Sequence, residues 1–199
     1  MVYKQHFIEW FSGKGGTNRP NFAWKATATG TSTGVMVDDA SDGGGGFKLN
    51  AWGGANNQYI SITADGNNQF VHKGSKFIAV VKTNVSTNGE AHWFVTGFMA
   101  NDYNSNSLAF HAHTGNANYG FYRSGYTLWS SVPKDSSWHS TEIESAVASD
   151  TMKIDGVLEC TSTDYRPTVA LQPMAFAWHG YANGTTADGS IRYMEAYNT

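Results

Sequence analysis

The chain has 199 residues and a formal net charge of −3, with 40% hydrophobic, 14% aromatic and only 15% charged residues. That length suits one domain with a sizeable core, and the absence of any stripe of Lys and Arg argues against a surface that tracks nucleic-acid phosphates. One cysteine, Cys160, rules out an intrachain disulfide, and no apolar run approaches the roughly 18 residues of a membrane span.

Period-2 alternation recurs along the chain and helical spacing is nearly absent, which predicts strands joined by short turns. Residues 5–11 form a first apolar-rich segment, without the long apolar stretch of a signal peptide. It stops at Ser12-Gly13-Lys14-Gly15-Gly16. Segments 35–37 and 46–49 flank the turn-rich run from Asp38 to Gly46. Segment 59–63 alternates cleanly, whereas 77–81 is continuously apolar and predicts a strand buried on both faces.

Strands are then predicted at 91–99, 107–113, 118–123 and 126–130, each bounded by Asn, Gly or Ser. Segments 139–146 and 151–154 follow, and Asp155-Gly156 is a two-residue hairpin signal leading into 157–160. Segments 169–181 and 191–197 complete the set. Many short strands without intervening helices predict an all-β sandwich, residues 1–199 forming one jelly-roll domain of two antiparallel sheets. Two sequons, at Asn84 and Asn183, fall in loops and read as chance matches.

The order of features from Trp138 to Tyr197 carries a resemblance. Trp138-His139 opens a strand, Met152 to Glu159 forms a hairpin around Ile154-Asp155-Gly156, and Ile191 to Tyr197 is the last strand. This order resembles the concanavalin A-like lectin/glucanase superfamily, particularly its laminin-G-like jelly rolls. A second likeness rests on Phe7-Ile8-Glu9-Trp10-Phe11-Ser12-Gly13, Gly45-Gly46-Phe47-Lys48-Leu49, Trp138-His139 and the segment from Tyr193 to Thr199. In these features the chain resembles small jelly-roll proteins of environmental phages and archaeal viruses. That likeness implies a virion surface component, assembled in the host cytoplasm and partnered by other virion proteins or by itself.

Glu142-Ile143-Glu144 places two carboxylates on one strand face about 6.5–7 Å apart, a separation used in glycoside hydrolysis. Laminarinase-like jelly rolls carry E-[ILV]-D-x-x-E; here the central Asp is Glu144 and no third carboxylate follows. The R-x-E-L, Q-[IV]-H and Y-x-K-x-G-x-Y patterns of the alginate-lyase branch are also missing. A solvated strand face accounts better for the pair, and the expectation is a protein that is not an enzyme.

His111 and His113 share one face of their strand, with Leu108, Phe110 and Ala112 opposite. In segment 172–181 the bulkier set Met174, Phe176 and Trp178 is expected to face the core, which would turn His179 and Tyr181 outward beside the histidine pair. Three imidazoles so placed could hold Zn²⁺, although no carboxylate is at hand to orient them and exposed histidines are the default. Asp38, Asp39 and Asp42 could ligate Ca²⁺, but a tight turn explains them better and no cofactor is expected. Tyr119, Tyr122, Tyr126 and Trp129, around Arg123, form an aromatic cluster on which sugar rings could stack.

The reading that results is a viral structural protein, a capsid decoration or tail component, with a glycan-binding face among the residues just named. The alternatives are a free-standing lectin or carbohydrate-binding module and, behind it, a jelly-roll glycosidase or polysaccharide lyase. The last strand, unless central, would be an exposed edge open to pairing with another chain.

Overall fold

The computed structural model describes residues 6–10, 24–30, 32–37, 46–52, 55–64, 70, 73–84, 92–100, 106–180 and 186–199. In chain order the strands are β1 (His6–Trp10), β2 (Trp24–Ala28), β3 (Thr33–Val37), β4 (Gly46–Trp52), β5 (Gln58–Ala64), β6 (Ser75–Thr83) and β7 (His92–Met99). They continue as β8 (Ser107–His113), β9 (Asn118–Arg123), β10 (Tyr126–Pro133), β11 (His139–Ser145), β12 (Asp150–Ile154), β13 (Val157–Ser162), β14 (Gln172–His179) and β15 (Thr186–Asn198). The first sheet runs β13-β12-β11-β6-β15-β4-β3, with β1 paired to the far half of β15; the second runs β10-β9-β8-β7-β14-β5-β2. All the pairings are antiparallel.

The core lies between the sheets and follows the alternation. Phe47, Leu49, Phe77, Ala79, Val81, Ile143, Met152 and Ile154 face inward from the first sheet. Ile60, Ile62, Phe94, Phe98, Leu108, Phe110, Tyr119, Phe121, Ala175 and Ala177 meet them from the second. Some contacts are tight enough to dictate residue size: a Cβ on Gly189 of β15 would sit 2.2 Å from the Phe94 ring opposite. In β15 a register shift between Ile191 and Tyr193 changes the phase, so Ile191, Met194 and Ala196 all reach the core despite their odd–even mismatch.

Several sequence expectations change here. β6 is not buried on both faces: Phe77, Ala79 and Val81 are covered, but Ile78 and Val80 are only half-buried on the outer side beside Lys76 and Lys82. The last strand is no edge, since β15 lies between β6 on one side and β4 and β1 on the other. β2 has no counterpart among the predicted strands, because Trp24-Lys25-Ala26-Thr27-Ala28 offers almost no bulky alternation.

The Trp-His and Asp-Gly features of the sequence prove to be one contact. Asp155 (φ 51°) and Gly156 (φ 80°) take the left-handed conformations of a tight primed turn between β12 and β13. The Asp155 carboxylate accepts hydrogen bonds from the Ser140 N–H (2.9 Å) and from His139 Nδ1 (2.7 Å). The other ring nitrogen, Nε2, donates to Asp135 Oδ1 at 3.0 Å. An imidazole between two carboxylates donates from both nitrogens only when charged. Burial opposes that charge, but the hydrogen bonds to Asp155 and then Asp135 outweigh it and hold the His139 pKa above its ordinary value.

Candidate functional site: the aromatic face of the second sheet

The second sheet is apolar on its outer face as well as its inner one. Val95, Met99, Ala109, Tyr122, Met174 and Phe176 form a separate buried cluster there, with Tyr59, Trp93 and Trp178 packed against it. Strand register explains how such distant residues meet, since directly opposed side chains on one face are neighbours. One row crosses the sheet as Tyr59, Trp178, Trp93 and His113; the next as Ser61, Phe176, Val95, His111, Gly120 and Trp129.

His111 is the centre of this face. It is 3% exposed, with the Trp129 ring nearly parallel at 5.9 Å, Tyr122 edge-on at 5.2 Å and Trp93 edge-on at 5.7 Å. Its Nδ1 is 3.1 Å from Thr127 Oγ1, while its Nε2 is buried without a hydrogen-bond partner among the described residues. Burial first, then the neighbouring His113 and Lys134, lower its pKa to about 3, so the ring is neutral at ordinary pH. His113 lies 5.6 Å away, half-buried, and its pKa is also lowered, by burial and by Lys134. The Gly115 N–H donates to His113 Nδ1 at 3.0 Å, which leaves the ring proton on Nε2.

The face opens toward β10. Trp129 is 40% exposed, and glycine at position 120 makes room for it: a Cβ there would lie 2.9 Å from the Trp129 ring and 2.4 Å from Thr127. Lys134 closes this end, its ammonium hydrogen-bonded to the His113 carbonyl. Burial brings its pKa down to about 8.

Of the residues expected to bind a ligand, the structure gathers His111, His113, Tyr122 and Trp129. The others go elsewhere because alternation, not closeness in sequence, decides the face. Tyr119 is fully buried in the core, its hydroxyl bonded to the Asp135 carbonyl oxygen at 2.9 Å. Arg123 is buried on the inner side, donating to Ser162 Oγ and to the Asp164 carbonyl oxygen (3.2 Å). Tyr126 also points away from the face and stacks on Tyr165, ring centroids 3.7 Å apart.

His179 is the clearest correction. Met174, Phe176 and Trp178 line the outer face, so His179 lies on the core side, fully buried and 3.8 Å from the His92 ring. Ala175 and Ala177 take the core side of the strand with it. The three imidazoles that could have held Zn²⁺ therefore do not come together, and no group of three metal-ligating side chains is found among the described residues. Tyr181, Asp38, Asp39 and Asp42 lie outside the described residues.

Glu142 and Glu144 are on β11, in the opposite sheet. Glu142 is paired with Lys76 at 2.9 Å and Lys153 at 2.8 Å. Burial works to raise its pKa, but the two lysines prevail and lower it, which suits a structural ion pair rather than a proton donor. Trp93, Trp178, Tyr59 and Lys134 also belong to this face, and the sequence alone does not place them there. A signal for Trp93 is present in His92-Trp93-Phe94-Val95, an apolar run with bulk on both faces. For Lys134 there is none.

No family model and no curated protein matches the sequence. Solved structures do match across nearly the whole chain. A glycoside hydrolase family protein from Mycobacterium thermorestibile matches with a TM-score of 0.62 and 15% identity, covering 96% of this chain and 99% of that one. The carbohydrate recognition domain of Emp47p gives 0.59 at 10% identity, over 98% and 95% of the two chains. The fold is a concanavalin A-like jelly roll. A β-1,3-glucanase from Mycobacterium marinum matches with a TM-score of 0.55 and 13% identity, over 96% and 97%.

These neighbours correct the expectation that the chain is not an enzyme, since enzymes that cleave glycosidic bonds share its fold from end to end. The incomplete carboxylate motif falls on β11, in the sheet that does not carry the aromatic face. None of the three is a virion structural protein.

Proposed function

We propose that this chain is a carbohydrate-active jelly-roll protein that seats a saccharide across the open face of its second sheet and processes it there. The observation that carries the reading is the setting of His111, a neutral imidazole with an unpartnered buried Nε2, among Trp129, Tyr122 and Trp93. Indole and phenol rings supply the flat apolar surface that a pyranose ring covers. The Nε2 atoms of His111 and His113, whose Nδ1 atoms are taken by Thr127 and Gly115, supply hydrogen bonds for its hydroxyls, and ligand sites in general combine such a surface with a few placed polar groups. The company of glycoside hydrolases, a glucanase and a carbohydrate recognition domain supports the same class of ligand.

The test is titration calorimetry over a panel of neutral and acidic oligosaccharides, with product analysis by mass spectrometry on each ligand that binds. Binding with new reducing ends or unsaturated products is expected, and Trp129→Ala should weaken binding about tenfold. If Trp129→Ala leaves affinity unchanged, the site is elsewhere. A second reading, saccharide recognition, is favoured by one observation: the described residues of this face include no Asp or Glu, the pair that glycoside hydrolysis ordinarily needs. Binding without any product would establish that reading and overturn the processing one.

A further inference from the structure

Lys134 is set apart from the other lysines whose ion pairs are seen. Lys48 has Asp188 at 3.1 Å, Lys76 has Glu142 at 2.9 Å and Lys153 has Glu142 at 2.8 Å. The Lys134 ammonium, half-buried, has instead the neutral carbonyl of His113 and no carboxylate partner among the described residues. Half-burying a cation without a counter-charge is costly, and here burial alone brings its pKa to about 8. A protein that holds a cation in that state at the mouth of a ligand face has left the counter-charge to be supplied from outside.

The groups beside it agree. His113 carries its proton on Nε2 because Nδ1 accepts from Gly115, so it presents a donor. His111 presents a buried Nε2 whose hydrogen bond is unmade. Neither ring is charged, so neither competes with Lys134 for an anion or repels it. The titratable groups acting on the pair are these two histidines and Lys134, and no carboxylate appears among the charges that shift them.

We propose that the saccharide seated on this face is anionic, its carboxylate or sulfate group taken by the Lys134 ammonium with the His113 Nε2–H beside it and its sugar ring on Trp129. This rests on the saccharide-binding reading above and names its substrate class. Charge-assisted hydrogen bonds of this kind are the strong ones, and a partly desolvated pair depends on salt less than an exposed one.

The experiment compares three probes on the intact protein: oligogalacturonate, its fully methyl-esterified form, and a sulfated galactan oligomer, with a neutral β-1,3-glucan oligomer as reference. Wild-type, Lys134→Gln and Trp129→Ala proteins are titrated with each, after thermal unfolding shows that the variants are folded. At least one anionic probe is expected to bind tenfold or more tightly than the neutral ones. Lys134→Gln should abolish that preference, bringing the affinity for the anionic probe down to that for its neutral counterpart, and Trp129→Ala should weaken binding of anionic and neutral probes alike. Preference for the uronate over the sulfated oligomer, or the reverse, identifies which anion the site takes. Equal affinity for methyl-esterified and free oligogalacturonate with no preference for the sulfated oligomer, or a preference that survives Lys134→Gln, overturns the anionic inference but not the saccharide site. No binding by any probe overturns both.

Discussion

Substituting His139 by Gln tests whether the contact behind the Trp-His and Asp-Gly features is a charged clamp. In the folded protein both ring nitrogens donate to carboxylates, at 2.7 Å to Asp155 and 3.0 Å to Asp135. Each hydrogen bond to a charged group is ordinarily worth about 1.5–3 kcal/mol. The two aspartate side chains are 53% and 52% exposed, so solvent screening reduces that figure considerably. A glutamine amide in place of the imidazole would retain one neutral hydrogen bond. A loss of about 1–2 kcal/mol is therefore expected, or about 2–8 °C in Tm for a chain of this size. The sign with pH follows from the raised pKa of His139. Its contribution is complete below the unfolded value of about 6.5 and is lost as pH rises through the higher folded value. The aspartates, whose pKa values are lowered, contribute above about 3.8 and lose that contribution as pH falls through their folded values. Circular-dichroism melts of wild type and His139→Gln at pH 5.5 and pH 9 should show a gap that is wide at the lower pH and narrow at the higher. A gap that is constant or widens toward pH 9 would mean that the ring is neutral and the clamp reading is wrong.

Two further outcomes follow from ion pairs of opposite character. Arg166→Met should destabilise the fold by about 3 kcal/mol, seen as a lower urea midpoint, because it leaves the fully buried Asp150 carboxylate without its guanidinium at 2.8 Å. An unchanged midpoint would mean that Ser145, 2.9 Å from the same carboxylate, satisfies it alone. Glu142→Gln breaks two partly exposed pairs and should cost no more than about 1 kcal/mol while leaving the proposed saccharide binding and turnover unaffected. A variant that melts like wild type but has lost turnover would return Glu142 to the active site.

The architecture was legible because it depends on alternation, and alternation is local. The strand at Ser107–His113 shows Leu108, Phe110 and Ala112 on one side and the histidines on the other, and the structure keeps that division. The Asp155-Gly156 turn was legible for a similar reason, since two adjacent left-handed residues select those residue types. What could not be read was which side of each strand faces inward. In β14 bulk points to Met174, Phe176 and Trp178 as core, and it misleads because this sheet has two apolar faces and β14 turns Ala175, Ala177 and His179 to the inner one. Nearness in sequence groups Tyr119, Arg123 and Tyr126 with Tyr122, although the two-residue period of β9 and β10 sends them to the other side.

Lys134 shows the deeper reason. Its part in the proposed site depends on reaching from the end of β10 to the carbonyl at the end of β8, a contact between residues 21 positions apart, and on forming no ion pair with a carboxylate among the described residues, the adjacent Asp135 being turned to His139. A partner that is missing leaves no trace in a sequence containing 16 acidic residues; it is visible only once the fold has placed Glu142, Asp150, Asp155 and Asp188 against other cations or on the opposite sheet. The same holds for the second apolar face, where aromatic rings from β5, β7, β9, β10 and β14 converge from positions spread along most of the chain. In a fold built from evenly alternating strands, a ligand site is a pattern across the strands, and reading along them finds the sheet but not the site.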